Sequence, residues 1–112
     1  MIDDKELQPI EIDLDVASRG EITESFLGMF GASLKLIMQR MFGGGSRTAP
    51  VTIKGTKQQI ADFAKTLGSE KKYIKTAAKF GLDDPRTYKD KFKLKQMIRK
   101  FESSTKLKWP FK

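Results

Sequence analysis

The chain reads as an α+β protein that is mainly helical: an N-terminal acidic strand and a long helix, then a short strand and a three-helix basic module. Three observations predict this. Residues 9–16 alternate apolar and acidic side chains at a period of two. Residues 22–42 carry apolar groups at helical spacing around more than half of the circumference. Residues 51–102 combine three helix-start signals, two glycine stops and a consistent helical period.

In the run Pro9-Ile10-Glu11-Ile12-Asp13-Leu14-Asp15-Val16, the residues Ile10, Ile12, Leu14 and Val16 fall on one side of an extended chain. Glu11, Asp13 and Asp15 fall on the other. A half-buried strand has this period, and the charged face predicts an edge position, where charge discourages further pairing. In the helix of residues 22–42, Phe26, Phe30, Ile37 and Met41 form one stripe with Leu27, Leu34 and Met38 beside it. The opposite stripe runs Glu24, Gly28, Lys35, Gln39. So wide an apolar arc suits either a central core helix or a helix with one face on another subunit. Gly28 and Gly31 each weaken an isolated helix by about 1 kcal/mol relative to alanine, and they leave room for another backbone.

Gly43-Gly44-Gly45-Ser46-Arg47 is a flexible break that divides the chain into residues 1–45 and 46–112. It is no phosphate-binding loop, because no Gly-Lys-Ser/Thr follows the glycines. The second part opens with a strand, Val51-Thr52-Ile53-Lys54, and a turn at Gly55. Thr56 and Gln59 match a capping box, in which each side chain serves the other residue's backbone N–H. Ile60, Phe63, Ala64 and Leu67 follow at helical spacing, and Gly68 is expected to end that helix. Ser69 then caps a second helix carrying Tyr73, Ile74, Ala77 and Phe80, which Gly81 stops. Asp84 caps a third, with Pro85 at its first position, where a missing N–H costs nothing. The apolar face of this last helix is read as Tyr88, Phe92, Leu94, Met97, Ile98 and Phe101. The tail cannot be helical around Pro110. Trp109 and Phe111 are costly to leave in water, so they dock either on the chain's own core or on a neighbour.

A chain of 112 residues has room for one compact domain, with an extended arm at most. It has no Cys and no His, which removes Ser–His and Cys–His catalysis and the usual zinc ligands. Asp83-Asp84 is the tightest carboxylate pair, and a helix cap before proline accounts for it. Asp3-Asp4 lies in a terminal arm, and the acids of residues 11–15 lack the glycine and final glutamate of a calcium loop. Nothing singles out one lysine as a catalyst. The expectation is therefore a non-enzyme without cofactor, metal or small-molecule substrate. The acidic N-terminus lacks a hydrophobic signal region, and no run reaches membrane-spanning length. A membrane-surface helix at residues 22–42 would have only Lys35 and Arg40 as bases.

The net charge of +8 is unevenly placed. Residues 1–24 hold eight acids against Lys5 and Arg19, a balance of −6, whereas the other 88 residues hold 20 bases and six acids, a balance of +14. Lys71, Lys72, Lys75 and Lys79 recur on the second module helix, and Lys89, Lys91, Lys93, Lys95, Arg99 and Lys100 on the third. Such a series is either a plain solvated face or a surface for a polyanion, with affinity that falls steeply as salt rises.

Residues 60–79, with Ala64 and Gly68 four apart, Phe63 and Leu67 beside them and Ile74 following, resemble the helix-turn-helix of bacterial DNA-binding proteins. That resemblance implies Lys71, Lys72 and Lys75 near DNA. The departures are Ser69, where that family buries an aliphatic residue, and the small Ala77. No Arg or Asn stands at the front of the would-be recognition helix, so phosphate contact would outweigh base reading. A second resemblance rests on Gly81-Leu82-Asp83-Asp84-Pro85-Arg86-Thr87-Tyr88 and on Lys108-Trp109-Pro110-Phe111-Lys112, which look like small proteins of T4-like tailed phages. It implies a structural virion protein of head, neck or tail, made in the host cytoplasm; for the helix-turn-helix alternative the location is cytoplasmic. Its expected partners are other subunits, met through Ile10, Ile12, Leu14, Phe26, Phe30, Trp109 and Phe111, and DNA or an acidic protein, met through the basic helices.

Overall fold

Strand β1 (Ile10–Asp13) leads into a single 3-10 turn (Val16–Arg19), helix α1 (Glu24–Gly43), strand β2 (Val51–Lys54) and helices α2 (Lys57–Phe80) and α3 (Pro85–Thr105). The computed structural model describes residues 10–43 and 51–111, and the architecture is mainly helical α+β, as expected. The glycine-rich break at residues 44–47 lies outside the described residues.

β1 and β2 pair in parallel, with Ile10 beside Val51 and Ile12 beside Ile53, so β1, α1 and β2 form one crossover unit. The alternating residues Ile10, Ile12, Leu14 and Val16 are all buried, while Glu11 is exposed and pairs with Lys54. The strand is shorter than the alternation. The carboxylate of Asp13 accepts the N–H of Asp15 at 2.9 Å, a side-chain turn that bends the backbone, and Arg19 closes on the other oxygen of Asp13 at 2.6 Å.

On α1, Phe30, Leu34, Ile37 and Met38 are buried and Phe26 is half-buried, and Glu24, Gly28, Lys35 and Gln39 are exposed as predicted. Leu27, expected beside the apolar stripe, is 36% exposed, and the Met41 side chain lies outside the described residues. α2 starts with the predicted capping box: Thr56 Oγ1 accepts from Gln59 N at 3.1 Å, and Gln59 Oε1 accepts from Thr56 N at 2.8 Å. α3 starts at Asp84, which accepts from Arg86 N at 2.8 Å, with Pro85 at the first helical position.

The three-helix module is corrected to a two-helix hairpin. α2 runs unbroken through Gly68 and Ser69 for 24 residues. Gln59, Phe63, Thr66 and Glu70 are buried along one continuous stripe, so packing on α3 outweighs the roughly 1 kcal/mol that a mid-helix glycine costs. Thr66 strengthens the junction, its hydroxyl lying 2.7 Å from the Asp62 carbonyl and 3.0 Å from the Met97 carbonyl of α3. With no turn at Gly68, the helix-turn-helix geometry at residues 60–79 is absent. The helices run antiparallel, as the cross-links Thr66–Met97 and Thr76–Asp90 show.

A second correction concerns the residues expected to meet other subunits. Ile10, Ile12, Leu14, Phe30 and Trp109 lie inside this chain's own core, and Phe26 and Phe111 pack against it. α3 ends where Lys106 takes a left-handed conformation (φ 64°), which turns the tail back along the hairpin. Trp109 is then sealed between Phe63 and Phe101 at centroid distances of 6.1 and 5.2 Å. Its indole N–H donates to Glu70 Oε1 at 2.9 Å, and its backbone N–H donates to Glu102 Oε2 at 2.8 Å. Leu107 and Trp109 of the tail complete the core, because burial in the chain's own interior removes their apolar surface from water.

The third correction is on α3. Leu94, Ile98 and Phe101 are buried, but Tyr88 and Phe92, read as part of the same face, are 56% and 65% exposed.

Two outcomes test this fold. Gly68 is helical with nothing within 4 Å of an added Cβ, so Gly68→Ala should stabilise the protein by about 0.5–1 kcal/mol in denaturant melts. A helix stop at Gly68 in a left-handed conformation would give a loss instead. Burial raises the Glu70 carboxyl above its ordinary value of 4.5, against the opposing hydrogen bond from Trp109. The folded state therefore holds that proton more tightly than the unfolded chain, and stability declines as pH climbs through the window above 4.5. Glu70→Gln keeps an acceptor for the indole and should lose this decline, so its melting temperature should gain on the parent between about pH 4 and about pH 7.

Candidate polyanion interface

The hairpin and its turn hold all six acids found beyond residue 24, and their placement defines the surface. Asp62 and Glu70 of α2 and Asp90 of α3 are buried, and Glu102 of α3 is half-buried. Each has a hydrogen-bond partner within the chain. Asp62 accepts from Gln58 Nε2 at 2.9 Å, Glu70 and Glu102 hold Trp109, and Asp90 accepts from the Thr76 hydroxyl at 2.6 Å. In the turn, Asp84 is taken up by Arg86: the guanidinium and the backbone N–H hold its carboxyl well below the usual range, at about 2. Asp83 is exposed.

The bases are disposed oppositely. Lys72, Lys75, Lys79, Lys89, Lys91, Lys93, Lys95, Arg99 and Lys100 are exposed and Lys71 is half-exposed, so all ten predicted cations reach solvent. They do not form one site. Lys72 and Lys93 border a groove of about 440 Å³ with Gly68, Ser69 and Met97, and Lys72 reaches Asp90 across it at 3.7 Å. Lys91, Lys95 and Arg99 border a larger groove, about 570 Å³, on the other side of α3, floored by Glu70, Leu94, Ile98 and Phe111. Lys65 joins the first groove and was not among the predicted cations. Its position seven residues before Lys72, two helical turns on the same face, is the signal that could have found it.

The far end of the hairpin lies beyond the hydrophobic core. No residue of α2 beyond Tyr73 and none of α3 before Leu94 belongs to the hydrophobic core. This distal part is held by the Thr76–Asp90 bond, by the Thr87 hydroxyl donating to the Gly81 carbonyl at 2.6 Å, and by the Asp84 cap. Arg86 lies over the Phe80 ring at 3.3 Å to the centroid, a cation–π contact that ties the end of α2 to the start of α3. The acids of β1 do not neutralise this surface, since Glu11 and Asp13 pair with Lys54 and Arg19.

Chemically, the arrangement offers exposed ammonium groups on flexible stems, which suit phosphate oxygens as point charges. Among the described residues, no group of three or more His, Cys, Asp or Glu could hold a metal ion, and no helix is long and apolar enough to cross a membrane. No protein-family model, no curated protein and no solved structure matches this chain.

Proposed function

We propose that this protein is a non-enzymatic binder of nucleic acid that grips the phosphate backbone with the outer face of the α2–α3 hairpin. One observation carries the proposal. No carboxylate on the two helices is exposed, whereas nearly all of their cations are, so the charge that the hairpin presents to solvent is positive. A merely solvated face intersperses both signs, because mixed charge suffices for solubility. A face of one sign creates a field that attracts a polyanion. Lysines without an Arg or Asn fork supply position and affinity rather than base readout.

The wider role we propose is a structural one in a nucleoprotein assembly, the tailed-phage virion implied by the resemblance at residues 81–88 and 108–112. The surface that supports subunit contact is the outer stripe of α1. Met29 is 71% exposed there, beside Gly28 and Ala32, and a small-residue stripe lets another element approach closely.

Titration of labelled oligonucleotide over a salt series tests the first part. Affinity should fall linearly on a log–log scale, and replacing Lys89, Lys91, Lys93 and Lys95 by Gln should flatten the slope by about 0.7–0.9 for each phosphate that is no longer neutralised. Salt-independent binding, or an unchanged slope in the variant, would sink it. Sedimentation with and without DNA tests the second part. Self-association or co-assembly is expected for the parent protein and should disappear in Met29→Glu; a monomer under every condition rejects the assembly role.

A further inference from the structure

We infer that the far end of the hairpin binds single-stranded nucleic acid, stacking unpaired bases on Tyr88 and Phe92 while Lys89, Lys91, Lys93 and Lys95 take the phosphates. The inference rests on the phosphate-binding proposal and adds the kind of strand.

The rings have no task within the fold. The ring contacts of this chain run through Phe26, Phe30, Phe63, Phe101, Trp109 and Phe111, and among the described residues Tyr88 and Phe92 take part in none of them. Both sit on the part of α3 that precedes its first core residue, Leu94. At 56% and 65% exposed, each leaves most of an aromatic side chain in water, a placement that costs free energy until something covers it.

Their spacing matches a stacked strand better than a protein partner. Tyr88 and Phe92 are four residues apart, so they stand on one side of the helix with a rise of about 6 Å between them. At about 100° per residue, Lys91 and Lys95 flank this row on one side and Lys89 and Lys93 on the other. Arg99, seven residues after Phe92, continues the row with a guanidinium plane, which also stacks on bases. Aromatic rings between two rows of ammonium groups are the two components that single strands require: a π-face for each base and a cation for each phosphate. A duplex encloses its bases in their own stack, so it would engage the lysines and leave the rings wet. A protein partner would have to bring acids to both lysine rows.

The experiment uses the full chain and fluorescence anisotropy with labelled oligothymidylate, a duplex of equal length and polyglutamate as probes. The parent protein should bind the single strand more tightly than the duplex. Joint replacement Tyr88→Ala and Phe92→Ala should weaken single-strand binding about tenfold or more while leaving duplex affinity and its salt slope unchanged. The pair Tyr88→Phe and Phe92→Tyr should keep the preference. Both positions lie outside the core, and circular dichroism should show the variants folded. Single-strand affinity that survives removal of the rings overturns the inference, as does a preference for duplex, and either leaves phosphate binding standing. Polyglutamate binding that falls with the rings overturns it in favour of an acidic protein. Failure to bind any nucleic acid would reject the phosphate-binding proposal itself.

Discussion

Phe101 receives aromatic rings from three separate segments: Phe30 of α1 at 6.1 Å, Phe63 of α2 at 6.0 Å and Trp109 of the tail at 5.2 Å. Each such contact is worth about 0.5–1.5 kcal/mol beyond the area it buries. With Phe101 itself on α3, four elements meet at one side chain, and the rest of the molecule follows from that meeting. The tail has to fold back, which the left-handed Lys106 permits, and Trp109 has to bring its two N–H groups into a dry interior. Buried donors need acceptors, and Glu70 and Glu102 are the acceptors.

That requirement links the core to the surface. Two of the four carboxylates on the hairpin are committed to the tryptophan, and Asp62 and Asp90 are committed to neighbouring side chains. The lysines stay in water on long stems, and even Lys72, which reaches Asp90 at 3.7 Å, keeps its side chain 64% exposed. One-sided charge is therefore a by-product of how the interior is satisfied as well as a property of composition. Glu70 carries the cost: burial raises its carboxyl above the ordinary value, and the hydrogen bond from the indole only opposes that shift.

Local signals proved legible where they act over a few residues. The bounds of β2, the capping box at Thr56 and Gln59, the Asp84–Pro85 start and the polar stripe of α1 all stand as the sequence indicates. Gly68 misled because glycine is a stop signal only when nothing else favours continuation, and here Phe63, Thr66 and Glu70 have α3 to pack on across the junction. Tyr88 and Phe92 were legible in principle. Phe92 and Phe101 are nine residues apart, or about 180° around a helix, so they could not share a face. Hydrophobicity alone had grouped them. Glu70, Asp90 and Glu102 stand three or four residues from Leu67, Leu94 and Ile98, a faint periodic cue, but nothing in the chain announced that Trp109 would need two of these acids.

Composition and spacing were enough to establish a helical, histidine-free, cysteine-free chain with most of its cations on two helices, because those properties depend on covalent identity and on interactions between near neighbours. Which way each side chain faces belongs to the folded molecule. Ile10, Ile12, Leu14, Phe30 and Trp109 were recognisable as groups that must leave water, yet their destination depended on contacts between residues far apart in the chain. Burial rewards any apolar surface equally, so only the assembled core could say that these residues turn inward while Tyr88 and Phe92 remain outside.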